Sequence, residues 1–335
     1  MTQTASPQSA SAHVLFGGDV MLGRGVGERI LRHGPDYPLA PVAELMCDAD
    51  LTIVNLECAI TSSLQHWPGE PKAFYFGAPP EAIHTLTDAG IDMVSLANNH
   101  ALDFGVAGLR DTLRHLRRHD IRVAGAGANI GQALLPAIVE RCGLKFGMAA
   151  FCDHQDDFAA EQDRPGIAYI DFDDEFAAAA TLRRALAALQ RAAVDWPILS
   201  LHWGPNMVFR PSKKFRRLAH VAIDMGWKIL FGHSAHVFQG IELYHGCPIV
   251  YAAGDLVDDY YVDPEFNNDR QLLLEMELTR DALQRLSLHP VCIENCQVRP
   301  AGGGEFDAIV GWMETLCKEM GTHVQRDAGE ICIFA

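Results

Sequence analysis

The sequence predicts an α/β fold with an antiparallel C-terminal extension, and three observations predict it. Short apolar runs rich in strand-forming residues alternate with segments of helical periodicity along most of the chain. Polar residues able to ligate a cation follow several of those runs directly. Beyond about residue 270 the pattern changes to closely spaced strands and a last helix. With 335 residues, 49% of them hydrophobic, the chain can bury a substantial core as one large domain or two modest ones.

Taken in chain order, short apolar runs predict strands at 13–17, 51–56, 93–97, 122–124, 145–151, 197–201, 228–231 and 249–252. Apolar residues at three- and four-residue spacing predict amphipathic helices over 79–89, 106–119, 174–193 and 213–225. Further on, 272–278, 283–288 and 291–298 read as strands separated by short turns, followed by a helix over 306–320. No repeat, low-complexity tract or Pro/Ser-rich linker divides the chain, and AGGG at 301–304 is the one obvious flexible joint. The expected organisation is a disordered segment 1–12, a main domain 13–269, and a C-terminal part 270–335 that completes the same domain.

Lys plus Arg number 27 against 43 Asp plus Glu, a formal charge of −16 that repels a phosphate backbone, so no nucleic-acid partner is expected. No stretch approaches the roughly 18 consecutive apolar residues of a membrane span, and the polar opening lacks the basic start and apolar core of a targeting signal. A soluble, cytoplasmic protein with no membrane partner is expected, its oligomeric state open. Nine cysteines without a CxxC pair or regular spacing argue against a disulfide framework and a thiolate zinc site, and most are expected in the core.

Chemistry gathers where strands end. Asp19 follows HVLFGG, Glu57 follows LTIVNL, Asn98, Asn99 and His100 follow MVSLA, His202 follows PILSL, and His233 and His236 follow or flank KILFG. The carboxyl ends of strands form the ligand crevice of α/β sheets, so these residues are expected to converge. Singly, each has a plainer reading: a structural His, a turn or N-cap Asp, a surface Glu or Asn. Together, carboxylate, amide oxygen and imidazole without thiolate suit Mn, Fe(II), Zn or Mg. Asp19, Glu57, Asn99, His202, His233 and His236 are too many for one tetrahedral ion and suit a pair sharing one carboxylate, with Glu57 the expected bridge.

The motifs GDVMLGR (18–24), NLE (55–57), ANNHALDFG (97–105), HWG (202–204) and GHSAHVFQGIE (232–242) resemble those of the CapA, or poly-γ-glutamate capsule, family, a branch of the calcineurin-like metallophosphoesterases. The similarity runs from about residue 13 to 261. The resemblance implies a four-layered α/β sandwich of the metallophosphoesterase type with a two-metal site, a metal role for the six residues above, and acid or base chemistry for His100. Several positions depart from the pattern: Met21 stands where phosphatases carry a His, HWGPN replaces HWGxE, GHSAH replaces GHHPH, and Asp255 in YAAGDL stands where an amide is common. These departures resemble a soluble branch of the family that includes the epimerases of lasso-peptide biosynthesis.

Three functions follow. One is a metal-dependent phosphoester hydrolase in which His100 protonates the leaving group. A second, preferred on this resemblance, is a metal-dependent epimerase of a ribosomal precursor peptide, with or without a leader, that removes and returns the α-proton. The third is a metal-stabilised, non-catalytic accessory of capsule synthesis. Inversion needs two acid/base groups, for which His100 and the strand carrying Ile293, Glu294 and Asn295 are the candidates. Asn295 cannot hold a proton; it is either an engineered replacement of a His or an ordinary polar strand residue. The run Asp255, Asp258, Asp259, Tyr260, Tyr261 either lines the mouth of the site or is a solvated loop, and 66–76 reads as a lid-like loop. Trp203 is expected to pack around the metal site. Gly125 and Gly127 carry no nucleotide-binding spacing. Arg210, Lys213, Lys214, Arg216 and Arg217 read as a solvated face or a grip for an acidic leader.

Overall fold

The structure is a computed structural model that describes residues 10–327 and 330–334. Its principal strands are β1 (Ser11–Val20), β2 (Leu51–Leu56), β3 (Met93–Ser95), β4 (Arg122–Ala124), β5 (Ala137–Arg141), β6 (Leu144–Cys152), β7 (Trp196–His202), β8 (Ile229–His233), β9 (Ile241–Tyr244), β10 (Cys247–Val250), β11 (Asp255–Val257), β12 (Arg270–Thr279), β13 (Leu283–Glu294), β14 (Gln297–Pro300), β15 (Gln325–Asp327) and β16 (Glu330–Phe334). The helices are α1 (Arg24–His33), α2 (Ala43–Asp48), α3 (Ala82–Asp88), α4 (Gly105–Arg118), α5 (Ile130–Ala133), α6 (Glu175–Arg191), α7 (Lys213–Met225) and α8 (Gly303–Glu319).

Two large sheets result among the described residues. The first has the order β15-β16-β13-β12-β1-β2-β3-β4, with β11 also on β1 and β14 on β13; the second has the order β9-β10-β8-β7-β6-β5. β1 to β4 run parallel, whereas β12 and β13 join antiparallel. Period-two alternation sorts the second sheet's two faces. Phe146, Met148 and Ala150 of β6 and Ile229 and Phe231 of β8 enter the core shared with the first sheet. Ala149, Phe151 and Leu230 instead pack with Leu182, Leu186 and Leu189 of α6 and Ala219 and Ala222 of α7. Phe16 and Phe231 meet across the sheet interface at 5.2 Å. β2 is buried throughout, and Ile83 and Leu86 of α3 and Leu109 and Leu116 of α4 join the same core. Helices, sheet, sheet, helices make the expected four-layered α/β sandwich.

Local signals place the outer helices. The Asp174 side chain accepts from Ala177 N at 2.9 Å to start α6, and Ser212 accepts from Phe215 N at 3.2 Å to start α7. Five of the nine cysteines, Cys58, Cys152, Cys292, Cys317 and Cys332, are buried. Among the described residues no helix is long and apolar enough to cross a membrane.

Several boundaries differ from expectation for identifiable reasons. β1 runs on to Val20 rather than stopping at 17, because its register with β2 shifts between Phe16 and Asp19. A Cβ on Gly18 would lie 1.9 Å from the Gly254 carbonyl oxygen, so glycine lets β11 lie against β1. Of the segment 1–12, residues 1–9 lie outside the described residues, while Ser11 and Ala12 pair with Thr279 and Leu278. The expected strand 291–298 is the end of β13, a two-residue turn, and the start of β14: Asn295 and Cys296 have φ of 55° and 62°, the left-handed pair of a tight hairpin. Gly303 and Gly304 of the expected joint begin α8.

Candidate metal centre

Parallel pairing brings the strand ends together. β7 and β8 are in register at His202 and His233, and β1 sets Asp19 beside Asn55 of β2 and Asp255 of β11. After β8 the chain turns sharply, Ser234 at φ 98° and His236 at φ 59°, which returns His236 toward β11. The Ser234 N–H donates to Asp19 Oδ2 at 3.2 Å and Asn55 Nδ2 to Asp19 Oδ1 at 2.7 Å. Asn98 Nδ2 in turn donates to Asn55 Oδ1 at 3.0 Å, so a chain of amides orients the Asp19 carboxylate.

Two donor clusters share that carboxylate: Asp19, His202 and His233 form one, and Asp19, Glu57, His236 and Asp255 the other, with donor atoms within 4.8 Å of one another in each. His202 Nδ1 and His233 Nδ1 are 2.9 Å apart, and His233 Nδ1 is 3.7 Å from Asp19 Oδ1. Ser200 Oγ, 2.9 Å from His233 Nε2, holds the far side of that ring. His236 Nδ1 lies 3.6 Å from Asp19 Oδ2 and 3.0 Å from Asp255 Oδ1.

These residues fit divalent ions. Both Glu57 carboxylate oxygens, Asp255 Oδ2 and Asn99 Oδ1 are buried with no hydrogen-bond partner, a costly state that a cation relieves. Donor separations of 2.9–3.7 Å suit a shared ion with bonds of about 2.0–2.2 Å. Burial, then the nearby Asp19 carboxylate, pushes Glu57 well above the carboxylate range. Burial holds His233 down at about 4 and His202 below the usual imidazole range, so both rings are neutral, as ligands must be. Burial works against charge on His236 too, but Asp255 and Asp19 outweigh it and raise this imidazole to about 9.

His100 stands at the edge of the second cluster, its Nε2 3.9 Å from Glu57 Oε1. Its Nδ1 is 2.6 Å from Asp103 Oδ2. Asp103 also accepts from Phe76 N at 2.7 Å and from Lys72 Nζ at 2.5 Å, and Lys72 donates to the Asn99 carbonyl as well. The Phe76 ring stacks on His100 at 3.8 Å. The irregular strip 66–76 therefore reaches the site and braces it. Beside the first cluster Asp153 and His154 form a second His–Asp ion pair, and the His154 ring meets His202 edge-on at 5.6 Å.

Asp19, Glu57, His202, His233 and His236 thus come together as expected from the strand ends. Asn99 contributes a buried, unpartnered amide oxygen on the segment that carries His100. The carboxylate common to both clusters is Asp19, whereas Glu57 belongs to one. Asp255, with no expected ligand role, is buried in the second cluster, and the acid in YAAGDL was the available signal. Asp258 is buried too, so this part of the acidic run is not a solvated loop, although Tyr261 is exposed. Lys72 carried no strand-end signal, whereas Asp153 and His154 directly follow β6, a strand-end signal that the sequence reading passed over.

Asn295 is a turn residue rather than a strand residue, its carbonyl accepting from Tyr37 OH at 3.0 Å. It lines a cavity with Asp258, Asp259 and Tyr260 whose walls do not include His100. Trp203 packs as expected, buried and donating to Tyr251 O at 2.9 Å. The basic cluster is largely engaged: Arg210 with Glu319, Lys214 with Asp173, Arg216 with Glu242, and Arg217 with Glu175.

Comparison with known proteins adds a family. The profile of the bacterial capsule synthesis protein PGA_cap matches residues 13–260. A probable polyglutamine synthesis accessory protein of Mycobacterium tuberculosis (strain CDC 1551 / Oshkosh) is 33% identical over 93% of this chain and 92% of its own. The PGA biosynthesis protein CapA of Bacillus subtilis (strain 168) is 26% identical over 85% of this chain and 72% of its own. Among solved structures, the Thermus thermophilus sulfate thiohydrolase SoxB in complex with glycerol superposes with a TM-score of 0.45 at 11% identity, over 95% of this chain and 62% of that one.

Proposed function

The chain belongs to the bacterial capsule synthesis protein family PGA_cap, and on that premise we propose that it is a divalent-metal-dependent hydrolase serving the synthesis of a glutamyl polymer. The observation that supports this most is the pair of donor clusters sharing Asp19, with the orphaned Glu57 oxygens facing His100. Relatives named for polyglutamine and PGA synthesis supply the polymer class. Divalent ions held there would polarise a carbonyl or phosphoryl oxygen and lower the pKa of water. A glutamyl polymer carries the carboxylates that such a locally cationic floor attracts.

The chain's own residues provide the proton chemistry. Asp103 can only accept, so it fixes the proton of His100 on Nδ1 and leaves Nε2, facing the centre, free to take one. Lys72 holds Asp103 and the Asn99 carbonyl and thereby keeps both neighbours in place. Phe76 over the His100 ring excludes water from one face of it.

A second reading, inversion of an α-carbon in a ribosomal, lasso-type peptide, is favoured by one separate observation. A His–Asp pair stands beside each cluster, His100 with Asp103 and His154 with Asp153, and inversion needs an acid/base group on either side of the carbon. Asn295 has no part in this version.

The deciding experiment incubates Mn-loaded protein in D₂O with a γ-linked glutamyl oligomer, a lasso-type precursor peptide and a generic phosphodiester. Shortened glutamyl oligomers support the hydrolase. A one-mass-unit gain with inverted stereochemistry and no cleavage selects the epimerase. Phosphodiester turnover alone removes the glutamyl assignment, and no turnover of any of the three removes the enzymatic reading.

A further inference from the structure

α4 begins just after the segment that carries His100, and because β3 and β4 are parallel it takes the chain from the carboxyl ends of the strands back to their amino ends, a run of about 20 Å away from the centre. Its outer surface is basic in a chain of formal charge −16. Arg110, Arg114 and Arg117 stand at i, i+4 and i+7 and share one face, with Arg118 beside them and Arg122 at the start of β4; all five are exposed. Arg114 meets Asp111 at 2.8 Å, whereas the side chains of Arg110, Arg117, Arg118 and Arg122 make no hydrogen bond or ion pair among the described residues. On α7, by contrast, Lys214, Arg216 and Arg217 each have a carboxylate partner. Cations in a last helical turn complement the helix dipole, which accounts for Arg117 and Arg118 but for none of the other three.

The helix leads to a groove. β4 ends the first sheet and β5 the second, and residues of both line a cavity of about 560 Å³. Arg117 and Arg122 are among its walls with Leu135, Pro136 and Ile138, and Asp120 is the one acid among the lining residues. Leu135 is 62% exposed. Cations beside an apolar wall suit a chain in which every unit carries a carboxylate and a short methylene stem. A bilayer is a poorer match, because Leu109 and Leu116 of α4 are buried in the core and leave the helix no apolar face to insert.

We infer that the α4 arginines and this groove form a docking track, remote from the metal centre, for a long polyanionic chain of glutamyl units. The class of chain rests on the function proposed above; the track itself rests on the arginines and the groove.

Binding of a fluorescently labelled γ-linked dodecaglutamate to the full, metal-loaded protein, read by anisotropy at low salt, tests the track. The variants are Arg110→Gln/Arg114→Gln and Arg117→Gln/Arg122→Gln, and neither touches the donor clusters. Each double substitution is expected to weaken binding about fivefold, the worth of two exposed charge contacts, and the difference is expected to shrink in high salt. γ-Linked diglutamate, too short to reach the groove from the centre, is expected to bind all three proteins alike. Unchanged affinity for the dodecamer in both variants overturns the track. Arginine-dependent binding of phosphatidylglycerol vesicles without binding of the oligomer overturns it in favour of a membrane surface, and tighter binding of α-linked than of γ-linked dodecaglutamate overturns it in favour of an acidic protein segment. Arginine-dependent binding of a γ-linked oligomer that is never cleaved upholds the track and removes the hydrolase.

Discussion

Replacing Lys72 by Met removes the ammonium that braces the segment 98–103 and leaves the Asp103 carboxylate without its cation. Lys72 is 11% exposed and Asp103 fully buried, with 2.5 Å between Nζ and Oδ1. Breaking a pair buried this deeply costs about 3–5 kcal/mol. Asp103 keeps its bonds from Phe76 N and His100 Nδ1, and Met fills most of the vacated volume, so about 2–3 kcal/mol is expected. With a urea dependence of about 3 kcal/mol per M, the unfolding midpoint falls by just under about 1 M. Asp103→Asn destabilises by a similar amount, but the double variant costs about 2 kcal/mol less than the sum, because the second change removes a charge already stranded by the first. Urea unfolding followed by circular dichroism on the wild type, both single variants and the double variant closes the cycle. A coupling energy below about 0.5 kcal/mol would refute the claim that Lys72 acts through Asp103.

Other expectations follow from the same geometry. Asp19→Ala strips metal from both clusters, whereas Asp255→Ala keeps about half of it on Asp19, His202 and His233; equal loss, read by elemental mass spectrometry, counts against a shared carboxylate. Gly18→Ala sets a Cβ 1.9 Å from Gly254 O and must push β11 off β1, at about 3 kcal/mol; an unchanged melting temperature contradicts that packing. Glu275 accepts from His289 at 2.9 Å and contacts His13 at 2.7 Å, and hydrogen bonding to His289 holds its carboxyl down at about 2 from the ordinary 4.5. Its stabilisation is complete above about pH 5 and lost as pH falls through about 2, so Glu275→Gln costs about 1 kcal/mol at neutral pH after solvent screening, and progressively less in acid. A penalty that grows toward pH 3 contradicts the sign.

What the sequence determined by itself is local. Apolar runs located the parallel strands because a buried strand must be apolar on both faces, and this pattern marked where each strand hands over to a loop. Asp19, Glu57, His202, His233 and His236 were legible for that reason, and Asp174 and Ser212 marked helix starts through capping. The motifs around them were enough to assign the family. The tertiary structure decided whatever depends on which strands become neighbours. Asp255 becomes a ligand candidate only through the pairing of β11 with β1, which two glycines in distant segments permit. Asp19 rather than Glu57 is the shared carboxylate because both sheets converge on the end of β1. Asn295 read as a strand residue, since a two-residue hairpin turn inside a run of apolar residues leaves little pattern to find, and its left-handed backbone is visible only in three dimensions. Lys72 sits in an irregular strip with no periodicity, and its importance comes from a buried carboxylate 31 residues further on. Periodicity and capping act over a few residues; the pairing of charges at the centre is set by register and burial, which exist only once the sheets have stacked.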